Sequence, residues 1–113
     1  MNERIERGHD LIQRFYAAYQ AALEYAAEVV IPYAGDAWFL QEIEGPIINI
    51  VVYADIHEEH RQALLDTLPT QDATFAAEYV IHPETQLYSR AFAVSRPNQP
   101  KFYVKVMVPK HVE

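Results

Sequence analysis

The chain has no cysteine and very little glycine or serine, and these shortages exclude several kinds of chemistry. Without cysteine there is no disulfide, no thiolate zinc site and no thiol nucleophile. Three glycines provide no phosphate-binding loop of the P-loop or dinucleotide type. The serines, Ser89 and Ser95, do not stand in the Gly-x-Ser-x-Gly pattern of a nucleophile elbow. We therefore predict no cofactor and favour a protein that is not an enzyme.

Positive charge is missing from a long central part of the chain. No Lys or Arg occurs from residue 15 to residue 60, a span that holds eight acidic residues. Residues 1–84 carry fifteen Asp or Glu against four Arg, whereas residues 85–113 carry five Lys or Arg against one Glu, and the net charge is −7. This acidity disfavours direct binding to nucleic acid or to an anionic membrane. It favours a basic protein partner.

Long apolar runs are also missing. No stretch approaches the roughly 20 apolar residues that span a membrane, and the first residues lack the apolar core of a signal peptide. Of the 113 residues, 50% are hydrophobic and 22% are charged, which is ordinary for a folded domain. We expect one domain over residues 1–113, in the cytoplasm.

The first thirty residues have a helical pattern. A helix is predicted over about residues 3–28, and Pro32 is expected to end it at or before Ile31. Its apolar residues recur at alternating three- and four-residue steps: Ile5, Ile12, Tyr16, Tyr19, Leu23, Ala26 and Val30. Such a stripe usually faces a core. This helix carries more aromatic side chains than one stripe readily buries, so a dimer or partner face is an alternative.

The rest of the chain predicts five strands and a second helix. The strands are expected over about residues 37–44, 47–54, 74–82, 86–95 and 101–108, and the helix over 56–67. Residues 101–108 alternate most clearly, with Phe102, Val104, Val106 and Val108 inward. The predicted fold is an α+β domain with a long N-terminal helix, a mainly antiparallel five-stranded sheet and a second short helix, in the order α-β-β-α-β-β-β.

A β-branched run at residues 47–54 leads directly into Asp55-Ile56-His57-Glu58-Glu59-His60. The run predicts a strand covered on both faces, with Asn49 as its one polar member. Asp55 is the expected N-cap of the second helix, with Glu58 completing a capping box. His57 and His60 are three residues apart and could share a metal, but the pattern is not that of zinc proteases, and solvated histidines are the simpler interpretation.

The positive charge near the C-terminus can also be explained in more than one way. Arg90, Lys101 and Lys105 alternate with Tyr88 and Tyr103, a combination that could stack nucleic-acid bases. Five cations on a protein of this net charge are few for that purpose. We favour compensation of the acidic half, and Lys on a strand face also protects a sheet edge.

These observations favour a small non-enzymatic binding module of the immunity, antitoxin or inhibitor type. The expected partner is a basic protein, such as a nucleic-acid-handling enzyme, and Phe39 or Tyr53 would add aromatic anchors. The predicted partner-binding residues are Trp38, Glu42, Glu44, Asp55, Glu58 and Glu59. The alternatives are a homodimeric adaptor or secretion-type chaperone that pairs through the first helix, and a small metal-dependent enzyme that uses His57 and His60.

Overall fold

The structure, a computed structural model, describes residues 2–42 and 47–110, with side chains from residue 12 onwards. Helix α1 spans Asn2–Tyr25, continues as a π-helical turn over Ala26–Val30, and ends in helix α2, Ile31–Ala34. The strands are β1 Trp38–Glu42, β2 Ile48–Val52, β3 Ala73–His82, β4 Leu87–Val94 and β5 Phe102–Pro109. Helix α3, Glu58–Thr67, runs into a 3-10 turn, Leu68–Thr70. The predicted α+β class and element order are confirmed.

The five strands form one mixed sheet in the order β1-β2-β5-β4-β3. Three neighbouring pairs are antiparallel, and β2 and β5 are parallel. The parallel pair arises because the chain leaves β2 through α3, builds the β3-β4 hairpin and returns as β5 between β2 and β4. This central place of β5 shows that edge protection is the wrong explanation for Lys101 and Lys105.

The helices cover one face of the sheet, and the core lies between them. The inward alternation predicted for β5 is confirmed, since Phe102, Val104 and Val106 are buried and Val108 packs against the core. Every residue of β2 is buried, as its β-branched run predicts. The core also includes Leu64 of α3.

The side of α1 that packs against the core is not the side that carries the predicted stripe of large apolar residues. The buried side consists mainly of small residues: Ala18, Ala21, Ala22, Tyr25 and Ala26. The larger residues on the adjacent side are exposed: Ile12, Tyr16, Tyr19 and Leu23. Alanine allows the helix to approach the sheet closely, because it adds no side-chain bulk beyond Cβ. The aromatic stripe is therefore left on the surface.

Pro32 does not end the helical segment as predicted. In an ordinary α-helix it would remove a backbone hydrogen bond and clash with the preceding turn. Here the π-helical turn immediately before it widens the helix, with the Ile31 N–H bonded to the Ala26 carbonyl. Pro32 then occupies the first turn of α2, where a missing N–H is tolerated. The segment ends at Gly35, whose φ of 60° lies in the region that favours glycine.

Strand β3 is the long, exposed edge of the sheet. Its large apolar residues Phe75, Tyr79 and Ile81 are exposed. The register shifts twice, between Phe75 and Ala77 and between Val80 and His82. These bulges increase the local twist and end the simple alternation of faces.

Candidate functional site

The loop between β2 and α3, together with the first turn of α3, carries three of the five acidic residues predicted to bind a partner: Asp55, Glu58 and Glu59. Helix α3 begins at Glu58, and its N-cap is His57, with φ −60° and ψ 137°. The Glu59 N–H donates to His57 Nδ1 over 3.2 Å. The prediction of Asp55 as the N-cap, with a helix starting at Ile56, is therefore wrong by two residues. An imidazole nitrogen takes the capping position, which leaves Asp55 exposed in the loop.

A buried arginine holds this loop in place. The Arg61 side chain lies under the loop, and its Nη2 donates to the carbonyl oxygens of Ala54, over 2.6 Å, and Ile56, over 3.1 Å. These two carbonyls belong to the residues on either side of Asp55. A charge-assisted pair of hydrogen bonds thus holds the backbone on both sides of Asp55.

The loop forms one wall of a cleft of about 470 Å³. The other wall is the segment from Ile31 to Ala37, which brings Asp36 to the same cleft as Asp55. The His57 and His60 rings, with centroids 5.5 Å apart, also line it. Glu58 and Glu59 stand exposed in the first turn of α3, where the helix dipole favours negative charge.

The carboxylates in and beside this cleft have no counter-ion among the described residues. Asp36, Asp55, Glu58 and Glu59 form no ion pair within the part of the chain that the structure describes. The ion pairs there lie elsewhere: Arg96 binds Glu28 and Asp72, and Lys110 binds Glu78. Asp36 and Asp55 line the cleft, and Glu58 and Glu59 lie beside it on the first turn of α3; we call these four residues together the acidic cleft.

The aromatic residues beside the acidic cleft differ in exposure. Trp38 packs partly against the core, and its Nε1 donates to the Gly35 carbonyl over 2.9 Å, so its polar atom is already used inside the turn. Tyr53 is 41% exposed and contacts the Phe39 ring at a centroid distance of 5.2 Å. Of the predicted anchors, Tyr53 is therefore the one most available to a partner.

The predicted site residues do not all meet. Asp55, Glu58 and Glu59 come together, and Trp38 lies beside them because the start of β1 pairs with the end of β2. Glu42 is at the opposite end of β1, across from Ile48. Glu44 lies outside the described residues.

Sequence reasoning missed Asp36 as a member of the site. The signal was present in the Gly35-Asp36 turn, since a hairpin between β1 and β2 places the residues before β1 beside those after β2. The Tyr53 N–H in fact donates to the Ala37 carbonyl over 2.9 Å.

Two further features bear on the alternatives. Among the described side chains, those of residues 12–42 and 47–110, no three from His, Asp or Glu converge in a way that could hold a metal ion. Among the helices that the structure describes, none combines the length and hydropathy needed to cross a membrane.

No protein-family model matches the chain, and neither the curated proteins nor the solved structures contain a match.

Proposed function

We propose that this protein is a non-enzymatic protein-binding module that docks a basic partner on the acidic cleft. One observation carries the proposal: Asp36 and Asp55 line one cleft, Glu58 and Glu59 lie on the adjoining first turn of α3, and none of the four forms an ion pair with another described residue. Mutual repulsion of like charges costs stability, and a basic partner would relieve it. More specifically, we propose that the module acts as an immunity, antitoxin or inhibitor protein.

The arrangement assigns different steps of binding to different residues. The acidic cleft attracts a positive surface over several ångströms, which raises the association rate and makes that rate sensitive to salt. Tyr53, which is exposed and two residues before Asp55 in the chain, supplies apolar contact area that slows dissociation. Arg61 holds the loop rigid, so little ordering of the backbone is needed on binding.

The test is capture of partners from native-source lysate by tagged protein, at low and at physiological salt, with identification by mass spectrometry. We expect one stoichiometric basic protein, held more weakly at the higher salt. The double variant Glu58→Lys/Glu59→Lys should lose it. A matched variant, Asp66→Lys/Glu84→Lys, makes the same change in net charge at exposed positions outside the acidic cleft and should retain it. Equal capture by both variants would contradict the assignment of the site.

The exposed stripe on α1 favours a second candidate, a homodimeric adaptor. Ile12, Tyr16, Tyr19 and Leu23 are 55%, 68%, 37% and 41% exposed, and their steps of four, three and four residues match a helix-pairing seam. The molecule is also elongated, with a radius of gyration of 15.8 Å against about 13 Å for a compact domain of this length.

Light scattering across a hundredfold dilution, about 1 to 100 µM, tests this candidate. A dimer in the wild type that becomes a monomer in Tyr16→Lys/Leu23→Lys would support it. A monomer throughout the dilution would exclude pairing through α1 in this range.

A further inference from the structure

Asn49 stands in the middle of β2 with its side chain fully buried and its amide unpaired. Its exposed fraction is 0%, and neither Nδ2 nor Oδ1 has a hydrogen-bond partner among the described residues. Buried amides normally find partners, because an unpaired donor and acceptor cost free energy that an apolar residue of the same size would not. Asn49 therefore has one unused donor and one unused acceptor among the described residues, a cost that a bound ligand would remove.

Asn49 lines a recess of about 220 Å³ on the face of the sheet opposite the helices. Tyr103, directly across from Asn49 in the β2-β5 pairing, forms one wall. Tyr79 and Lys105 also line the recess, and Ala91, opposite Lys105 on β4, is small enough to leave it open. The buried Asn49 thus borders a space with aromatic walls and one cation.

A second recess of about 260 Å³ adjoins the first, because Tyr79 and Lys105 line both. Phe39, on one edge strand of the sheet, and Tyr79, on the other edge strand, line this second space together. The sheet is therefore curled, and its open face is concave. Together the two recesses fall within the size range of small-ligand pockets, about 300–1,000 Å³.

Lys105 supplies the positive charge of this face. Its Nζ lies 5.9 Å from the centroid of the Tyr79 ring, and no ion pair between described residues involves it. A half-buried ammonium without a carboxylate partner favours an anionic group on the ligand.

We propose that the concave face binds a small planar heteroaromatic oxyanion. The Asn49 Nδ2 donates to a ring carbonyl, and Oδ1 accepts from the adjacent ring N–H, so that the amide pairs with a lactam edge. Lys105 binds the carboxylate or phosphate of the ligand, and Tyr79 and Tyr103 contact the ring. This site shares no lining residue with the cleft lined by Asp36 and Asp55. A test of the site therefore does not depend on the proposed function.

The experiment is a two-dimensional NMR titration that follows the side-chain amide of Asn49. The probe is orotate, a planar ring with a lactam edge and a carboxylate. Uracil keeps the lactam edge without the anion, benzoate keeps the anion without the lactam edge, and uridine monophosphate replaces the carboxylate by a phosphate. We expect orotate or uridine monophosphate to shift the Asn49 amide, and whichever binds more tightly identifies the anion. Uracil and benzoate should each bind about tenfold more weakly or worse.

Two variants separate a binding role from a packing role. Asn49→Leu removes both polar atoms at nearly constant volume, so it should keep or raise the unfolding midpoint while it weakens binding by about tenfold or more. Lys105→Gln should weaken binding of the anion similarly. Lys101→Gln, the matched control, removes a neighbouring charge that lines neither recess and should bind like the wild type.

The proposal is overturned if orotate and uridine monophosphate leave the Asn49 amide unshifted at about 10 mM, well above a millimolar dissociation constant. It is overturned equally if binding occurs but is unchanged in both Asn49→Leu and Lys105→Gln. Should Asn49→Leu fail to fold, the Lys105→Gln and Lys101→Gln pair decides, since both positions are on the surface of the sheet.

Discussion

The guanidinium carbon of Arg96 lies 4.8 Å from the centroid of the buried Tyr25 ring. Arg96 also forms ion pairs with Glu28, over 3.0 Å, and Asp72, over 2.9 Å. The Tyr25 hydroxyl donates to the Gln71 carbonyl over 2.7 Å. One arginine thus connects the end of α1, the approach to β3 and the turn after β4, which lie far apart in sequence.

Tyr25 gives the first prediction, a dependence of stability on alkaline pH. Its burial raises its pKa to about 12, a value that Arg96 lowers and Asp72 and Glu28 raise. Because a tyrosine in the unfolded chain has a pKa near 10, the folded state holds the proton more tightly. The resulting stability is complete below about pH 10 and is lost as the pH rises to about 12.

Urea unfolding at successive pH values measures this effect. Between about pH 10 and pH 12 the free energy of unfolding should fall more in the wild type than in Tyr25→Phe. Tyr25→Phe should also start about 1 kcal/mol lower at neutral pH, because it loses the hydrogen bond to Gln71. Tyr16→Phe, at an exposed tyrosine, is the control and should follow the wild type. Identical slopes in all three proteins would contradict the assignment.

The second prediction concerns Arg61, which is buried without a carboxylate partner among the described residues. Arg61→Met keeps the apolar stem but removes the donors to the Ala54 and Ile56 carbonyls. We expect a loss of about 1–3 kcal/mol in the free energy of unfolding. Gln62→Met, at the exposed neighbouring position, should change it by less than about 0.5 kcal/mol. Equal effects in the two variants would show that the loop does not depend on Arg61.

The third prediction tests His57 as the N-cap of α3. His57→Ala removes the acceptor for the Glu59 N–H and should cost about 1 kcal/mol, whereas His57→Ser restores an acceptor and should cost less. Thermal unfolding of the three proteins, with and without zinc, is the measurement. A zinc-dependent rise in the midpoint that disappears in His57→Ala would instead support the metal alternative.

Local patterns predicted the strands well, because their signal lies in neighbouring residues. The alternation from Phe102 to Val108 and the β-branched run of β2 each identify a buried face without knowledge of the partner strand. The N-cap was harder to predict, since Asp55 and His57 both offer acceptors within two residues of each other. The concave face depends on the curl of the whole sheet, which brings Phe39 and Tyr79 to one recess although they lie on opposite edges. No local pattern carries that information.

The last prediction tests which side of α1 faces the core, the point where hydropathy and structure disagree most. Hydropathy favours Leu23 as a core residue, but Leu23 is 41% exposed and Ala22 is 0% exposed. Ala22→Leu should therefore overpack the contact between α1 and the sheet and cost about 1–3 kcal/mol. Leu23→Gln, which keeps a good helix former at a surface position, should cost less than about 0.5 kcal/mol.

Urea unfolding of both variants at a concentration where light scattering shows a monomer keeps self-association out of the comparison. A larger loss in Leu23→Gln than in Ala22→Leu would mean that α1 is rotated and that the aromatic stripe faces the core. The opposite order would place Ile12, Tyr16, Tyr19 and Leu23 at the surface of the monomer. That stripe could then pair with a second helix without disturbing the core, because the buried residues among the described part of α1 are Ala18, Ala21, Ala22 and Tyr25.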